Sequence, residues 1–181
     1  MSSNKNAWGE RIPQEKAVLC FIVREGKILL IEKKRGLGAG KINGPGGRIE
    51  AGESPLQAAV RETEEEVGVT PLEISLRGEL FFEFLDGYSL HCCVFIAHDY
   101  RGDPHETDEA TPFWTALDTI PYHEMWTDDA FWLPGLLAEG QFQGFFRFNS
   151  DIMLLQNMIW TGNPKNILLR KLFNINKLTN I

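Results

Sequence analysis

The stretch 47–69, GRIEAGESPLQAAVRETEEEVGV, constrains this chain more than any other part of it. It reads as a glycine turn followed by a helix with both ends marked. Ser54 is a suitable N-cap, Pro55 fits the first helical position and Gln57 can close a capping box back to Ser54. Gly68 is placed to end the helix in the left-handed conformation. With Leu56 as origin and a helical projection of about 100° per residue, Ala59, Val60, Thr63 and Val67 lie within roughly 60° of it and predict the buried stripe. Glu62, Glu65 and Glu66 fall at roughly 240°, 180° and 280°, which predicts three carboxylates on the face opposite the core. The pairs Glu62–Glu65 and Glu62–Glu66 each cost about 0.2–0.5 kcal/mol in an isolated helix. Such a face is either a solvated acidic surface or a cation site. Clustered carboxylates are hard oxygen ligands suited to Mg²⁺ or Mn²⁺. The Gly44-Pro45-Gly46-Gly47 turn just before them lets backbone groups approach a metal or phosphate closely. Both features favour the cation site.

The remaining sequence narrows the setting. At 181 residues the chain fits one domain with a real core. Its net charge of −7 argues against general binding along nucleic-acid backbones, which rewards clustered Lys and Arg. A single nucleotide is still compatible, because a metal can neutralise its phosphates locally. No apolar run reaches membrane-spanning length, and the polar N-terminus lacks a signal-peptide core, so a cytoplasmic location is expected. The three cysteines, Cys20, Cys92 and Cys93, sit in apolar strand-like runs; they read as small buried hydrophobes with no metal-ligand spacing.

Residues 17–24 and 27–33 predict a hairpin turned at Glu25-Gly26, and the six glycines within 36–47 predict an irregular loop. Strands are expected over 72–85 and 88–98, joined at Asp86-Gly87, and again over 111–117, 142–148 and 152–160. Asp128 or Asp129 is expected to cap a second helix that runs to Glu139 and closes at Gly140. This order gives an α+β protein, an α/β/α sandwich with a mixed β-sheet. The apolar segment 167–173 reads as a short appended helix or a loose tail.

Gly47, Glu53, Arg61-Glu62-Thr63, Glu65-Glu66 and Gly68-Val69 match the spacing of the Nudix box, so the chain resembles the Nudix hydrolases. One position departs, because Thr63 stands where the box has an aliphatic residue. The resemblance implies hydrolysis of a nucleoside diphosphate linked to a further group, with Glu62, Glu65 and Glu66 as metal ligands and the Gly46/Gly47 backbone completing the site. It also implies an ion pair between Glu53 and Arg61 that braces loop against helix. Glu65 or Glu66 could act as general base, and Glu109 is either a further ligand or a solvated loop acid. Divalent ions suit this chemistry because they neutralise phosphate oxygens and lower the pKa of bound water.

A narrower resemblance, to the animal MutT-type hydrolases of oxidised purine nucleoside triphosphates, rests on KKRGLGAGKING at 33–44, Phe82-Glu83-Phe84, Thr107-Asp108-Glu109, Pro112-Phe113-Trp114 and IPYHEMWTDDAFW at 120–132. It covers residues 16–160 as one domain, leaving 1–15 and 161–181 as extensions. It implies that Asn43, Asp128 and Asp129 hydrogen-bond a purine edge and that Trp126 stacks on the base. Phe82, Phe84 and Trp132 would line the pocket, with Lys33 near its rim. Against this, an aspartate pair here could simply cap a helix, and both tryptophans could be core. Leu37, Ile42, Pro45 and Val18 replace Phe, Trp, Phe and Thr of those enzymes, which leaves the preferred oxidised purine open. The expected activity is Mg²⁺-dependent conversion of 8-oxo-dGTP or 2-hydroxy-dATP to monophosphate and pyrophosphate by a monomer. The alternatives are ADP-ribose or RNA 5′-end hydrolysis, or a non-catalytic nucleotide-binding module.

Overall fold

Val18–Ile22 and Ile28–Ile31 are continuous apolar runs, the pattern of strands covered on both faces. In the computed structural model, which describes residues 12–161, they form the centres of β1 (Glu15–Arg24) and β2 (Lys27–Lys33). The two pair antiparallel through a turn in which Glu25 and Gly26 both adopt positive φ. A two-residue strand, β3 (Ile42–Asn43), then pairs with β2 inside the glycine loop. After α1 (Pro55–Val67) come β4 (Val69–Leu72), β5 (Ser75–Phe84), β6 (Ser89–Ala97), β7 (Asp99–Gly102) and β8 (Ala110–Ala116). A 3-10 turn over Tyr122–Glu124, α2 (Asp129–Leu137), β9 (Gln141–Asn149) and β10 (Ile152–Thr161) complete the described chain.

The main sheet runs β10-β9-β5-β6-β1-β2-β3, with β8 also paired to β2, and β4 and β7 form a separate ribbon. β1 lies parallel to β6 and β5 parallel to β9, while the other pairings are antiparallel, so the sheet is mixed as expected. α1 covers one face, over Val18, Cys20, Ile22, Leu29 and Ile31. α2 covers the other, where Trp132, Leu133 and Leu136 pack with Phe21, Leu80, Phe142 and Phe146. The result is the expected α/β/α arrangement. No helix among the described residues is long and apolar enough to cross a membrane.

The α1 boundaries are those read from the sequence. Ser54 accepts from the Gln57 amide, Gln57 accepts from the Ser54 amide, and Gly68 closes the helix at φ 75°. The predicted stripe needs correction. Leu56 is 47% exposed, and the buried residues are Ala58, Ala59, Thr63, Glu66 and Val67. The buried face is thus rotated by roughly 60° toward the carboxylates, and Glu66 lies within it instead of opposite it. The second helix also differs. It stops at Leu137, and Glu139, not Gly140, carries the positive φ of 61°. Neither aspartate caps it with a side chain, because each carboxylate is taken by a tryptophan. The strand predicted over 72–85 breaks into β4 and β5 at Glu73, where φ is 51°. The apolar segment 167–173 lies outside the described residues.

Candidate functional site

The loop 45–47 reaches α1 because it pairs with β1: the Val18 and Cys20 amides donate to the Gly47 and Pro45 carbonyls. Gly46 and Gly47 are both sterically required, for different reasons. A Cβ on Gly46 would stand 2.1 Å from the Val18 carbonyl oxygen, whereas one on Gly47 would stand 2.3 Å from Glu62 Oε2. Gly46→Ala therefore collides with backbone and is expected to cost about 1–3 kcal/mol of stability. Gly47→Ala collides with a movable carboxylate; thermal unfolding should change little while turnover falls roughly 10–100-fold through a displaced Glu62. Equal loss of stability in both variants would contradict this difference.

Arg61 organises the acidic side. Its Nε and Nη2 donate to the two Glu53 oxygens at 2.8 and 2.9 Å, and its Nη1 donates to Glu62 at 2.8 Å and Glu65 at 3.0 Å. Nη2 also donates to the Arg48 carbonyl, which ties the loop to the helix. The bidentate pairing holds the Glu53 carboxyl down at about 2. Glu66 is 1% exposed; its Oε1 accepts from Lys33 Nζ at 3.1 Å and its Oε2 from the Gly46 amide at 2.8 Å. Burial raises the pKa of both Glu66 and Glu62, partly offset by Lys33 and Arg61 respectively. Glu65 is 58% exposed. Glu109, on the loop before β8, pairs with Arg35 and adds to the negative potential felt by Glu62. Glu62 and Glu65 thus meet at one Arg61 nitrogen, while Glu66 turns to Lys33 and the Gly46 amide. Four carboxylates, Glu53, Glu62, Glu65 and Glu66, face two cations, Arg61 and Lys33, so this all-oxygen set keeps excess negative charge and fits a hard divalent cation.

Adjoining this cluster is a cavity of about 420 Å³, in the range of small-molecule sites. Asn43, Phe82, Phe84, Trp126, Asp128, Asp129, Trp132 and Lys33 all border it, as do Gly46 and Glu109. Lys33 borders the cavity and pairs with Glu66 at 3.1 Å, which links the cavity to the acidic cluster. The Asn43 side-chain oxygen accepts from the Gly44 amide. Trp126 meets Phe148 edge-on, with Lys41 Nζ 5.0 Å from its ring centre. Trp132 is fully buried, and its indole N–H donates to Asp128 at 2.9 Å. Asp129 accepts from the Trp126 amide at 3.1 Å. Sequence reasoning missed Phe148, Lys41 and Arg35. The alternation along β9 was a usable signal for Phe148, since its inward positions include Phe142, Phe146 and Phe148.

Both aspartates are almost wholly buried, and burial pushes both carboxyls up, Asp128 to about 6 and Asp129 well above its ordinary value, with the neighbouring Asp128 adding to the rise. The folded state therefore binds their protons more tightly than the unfolded chain does. The associated stability is present below the ordinary aspartate value and declines as pH rises through about 6. Asp128→Asn keeps an acceptor for Trp132 and removes the ionisation. Its melting temperature should exceed that of the wild type at about pH 8 and match it at about pH 4, and a gain independent of pH would contradict the assignment.

With this geometry in place, the likeness to known proteins is specific. The NUDIX domain model matches residues 13–136. The oxidized purine nucleoside triphosphate hydrolase of Danio rerio is 40% identical over 142 residues, covering 78% of this chain and 91% of that protein. The mouse protein of the same name is 37% identical over 138 residues, 76% of this chain and 88% of its own length. Among solved structures, the mutator MutT protein of Bacillus halodurans superposes with a TM-score of 0.73 at 26% identity, covering 80% of this chain and 97% of the other. The capped carboxylate helix, the loop it braces and these matches have one explanation: the chain is a Nudix hydrolase.

Proposed function

We propose that this chain hydrolyses oxidised purine (deoxy)nucleoside triphosphates, such as 8-oxo-dGTP or 2-hydroxy-dATP, to the monophosphate and pyrophosphate. The observation that carries the reading is the buried pair Asp128–Asp129 in an aromatic cavity that is also lined by Lys33 and Gly46, the two partners of Glu66. Two adjacent carboxyls that hold a proton between them can offer donor and acceptor together, which suits the tautomers of oxidised bases. Asn43 adds a further polar contact to the base edge, and Trp126, Phe82 and Phe84 provide apolar surface for the ring. The Danio rerio and mouse relatives act on this substrate class by their names.

Glu62, Glu65 and Glu66, with the Gly46 backbone and Glu109, would hold Mg²⁺, with Mn²⁺ as a substitute. When bound, the ion neutralises phosphate oxygens and lowers the pKa of a coordinated water. Arg61 keeps Glu62 and Glu65 in place while itself fixed by Glu53, and Lys33 adds positive charge at the junction of base pocket and phosphate path. Water adds to one phosphorus of the α–β anhydride, its proton goes to a carboxylate of Glu65 or Glu66, and the bridging P–O bond breaks. The two leaving products are nucleoside monophosphate and pyrophosphate. Incubation of a nucleotide panel with Mg²⁺ tests this by product: pyrophosphate must appear with oxidised purine triphosphates. Release of inorganic phosphate alone, or turnover of ADP-ribose in preference to triphosphates, would overturn it.

A further inference from the structure

Glu79, His91 and Cys93 are the only group of three potential metal-ligating side chains among the described residues whose ligand atoms all lie within 4.8 Å of one another. The sequence hides this group, because its members come from two strands. Glu79 on β5 stands directly opposite Cys93 on β6, and His91 is two residues away on the same face. Cys92 faces the other way and borders the nucleotide cavity, so the group lies across the sheet from the base pocket. α1 packs mainly on β1, β4 and β8, and Phe81 and Phe145 lie beside the group on its face of the sheet.

We infer that Glu79, His91 and Cys93 form a second metal site, for a borderline-soft divalent cation of the Zn²⁺ class, separate from the hard-cation site of the Nudix box. A thiol, an imidazole and a carboxylate are the three side-chain donors that Zn²⁺ takes, and a water can complete the tetrahedron. Around a tetrahedral Zn²⁺, such ligand atoms stand roughly 3.4–3.6 Å apart. Glu79 Oε1 and His91 Nε2 are now 3.1 Å apart, and the group's limit is 4.8 Å, so small side-chain movements suffice. The supporting contacts are in place. Gln143 donates to the second Glu79 oxygen at 3.0 Å, and Phe81 stacks flat on the His91 ring at 4.5 Å with a 5° interplanar angle. Glu79 and His91 are part-exposed, which gives an ion a path in. Without metal the buried Cys93 thiol is pushed up to about 11, so it is protonated, and binding replaces S–H by S–metal with release of that proton to water. Mg²⁺ has no preference for such a set, so the two sites divide by softness.

Co²⁺ added to the full chain in excess Mg²⁺ reads the thiolate directly. One equivalent should produce the near-ultraviolet thiolate-to-cobalt absorption, and Zn²⁺ should displace it. Cys93→Ser should abolish the band and weaken Zn²⁺ binding by more than about 100-fold, beyond the usual cost of losing an outer partner. His91→Gln should weaken binding as well, and it carries the test if Cys93→Ser does not fold. Both variants should keep Mg²⁺-dependent turnover, which separates this site from the catalytic one. Absence of the band in the wild type, or an unchanged band in the folded variants, would overturn the proposal.

Discussion

Glu66→Gln is expected to lower kcat by about 10²–10⁴-fold, the scale of a lost electrostatic or proton-transfer contribution. The substitution is nearly isosteric and keeps an acceptor for the Gly46 amide, so the loop–helix contact at 2.8 Å survives. What it removes is charge. Glu66 is ionisable yet almost wholly buried, and its raised pKa shows that desolvation outweighs the help from Lys33 and Gly46. A buried carboxylate maintained at that cost by one lysine and one amide is poorly explained as packing. Removing it leaves Lys33 without its carboxylate partner, so a moderate stability change is also expected, on the order of 1–3 kcal/mol. Steady-state turnover with saturating Mg²⁺, alongside thermal unfolding, separates the two effects. Near-wild-type kcat in a folded Glu66→Gln protein would remove Glu66 from the metal site.

The second large effect is expected in the base pocket. Asp129→Asn should change the ratio of kcat/KM for 8-oxo-dGTP over 2-hydroxy-dATP by about 10- to 100-fold, the range for one hydrogen bond to a charged or strongly polar group. The introduced carboxamide can still accept from the Trp126 amide, so the 3.1 Å contact that positions the residue is retained. The proposed sharing of a proton with Asp128 is lost, and the donor and acceptor of the carboxamide are fixed. A pocket that reads tautomers through a shared proton loses one of its two patterns, whereas a pocket that merely encloses an aromatic ring loses nothing. Competition assays with the two substrates in one reaction give the ratio directly, and an unchanged ratio would reduce Asp128–Asp129 to scaffold.

Much of this was legible in the residue order because local rules carried it. The capping box at Ser54 and Gln57 and the left-handed Gly68 are properties of a few consecutive residues, and they fixed α1 at both ends. The unbroken apolar runs around Phe21 and Leu29 announced strands covered on two faces. The failures at Glu66 and at the Glu79 group share a cause: the winning partner is distant in sequence. A helical projection anchored on Leu56 could not foresee that the Gly46 loop and Lys33 would bury Glu66. Asp128 and Asp129 look like helix caps until Trp132 and Trp126 claim their oxygens. The Glu79–His91–Cys93 group has no spacing to read, because strand register alone brings it together. Its Cys93 was expected to be an inert buried hydrophobe.

The proposal joins two parts, an acidic cluster for pyrophosphate chemistry and an aspartate pair for an oxidised purine, through the Lys33 and Gly46 that border the cavity and hold Glu66. Whether they act together is decided by kcat/KM for 8-oxo-dGTP against dGTP, measured with Mg²⁺ and pyrophosphate detection. A strong preference for the oxidised base is expected, about 10-fold or more for each polar contact that the undamaged base cannot satisfy. Equal kcat/KM for the two nucleotides would contradict it.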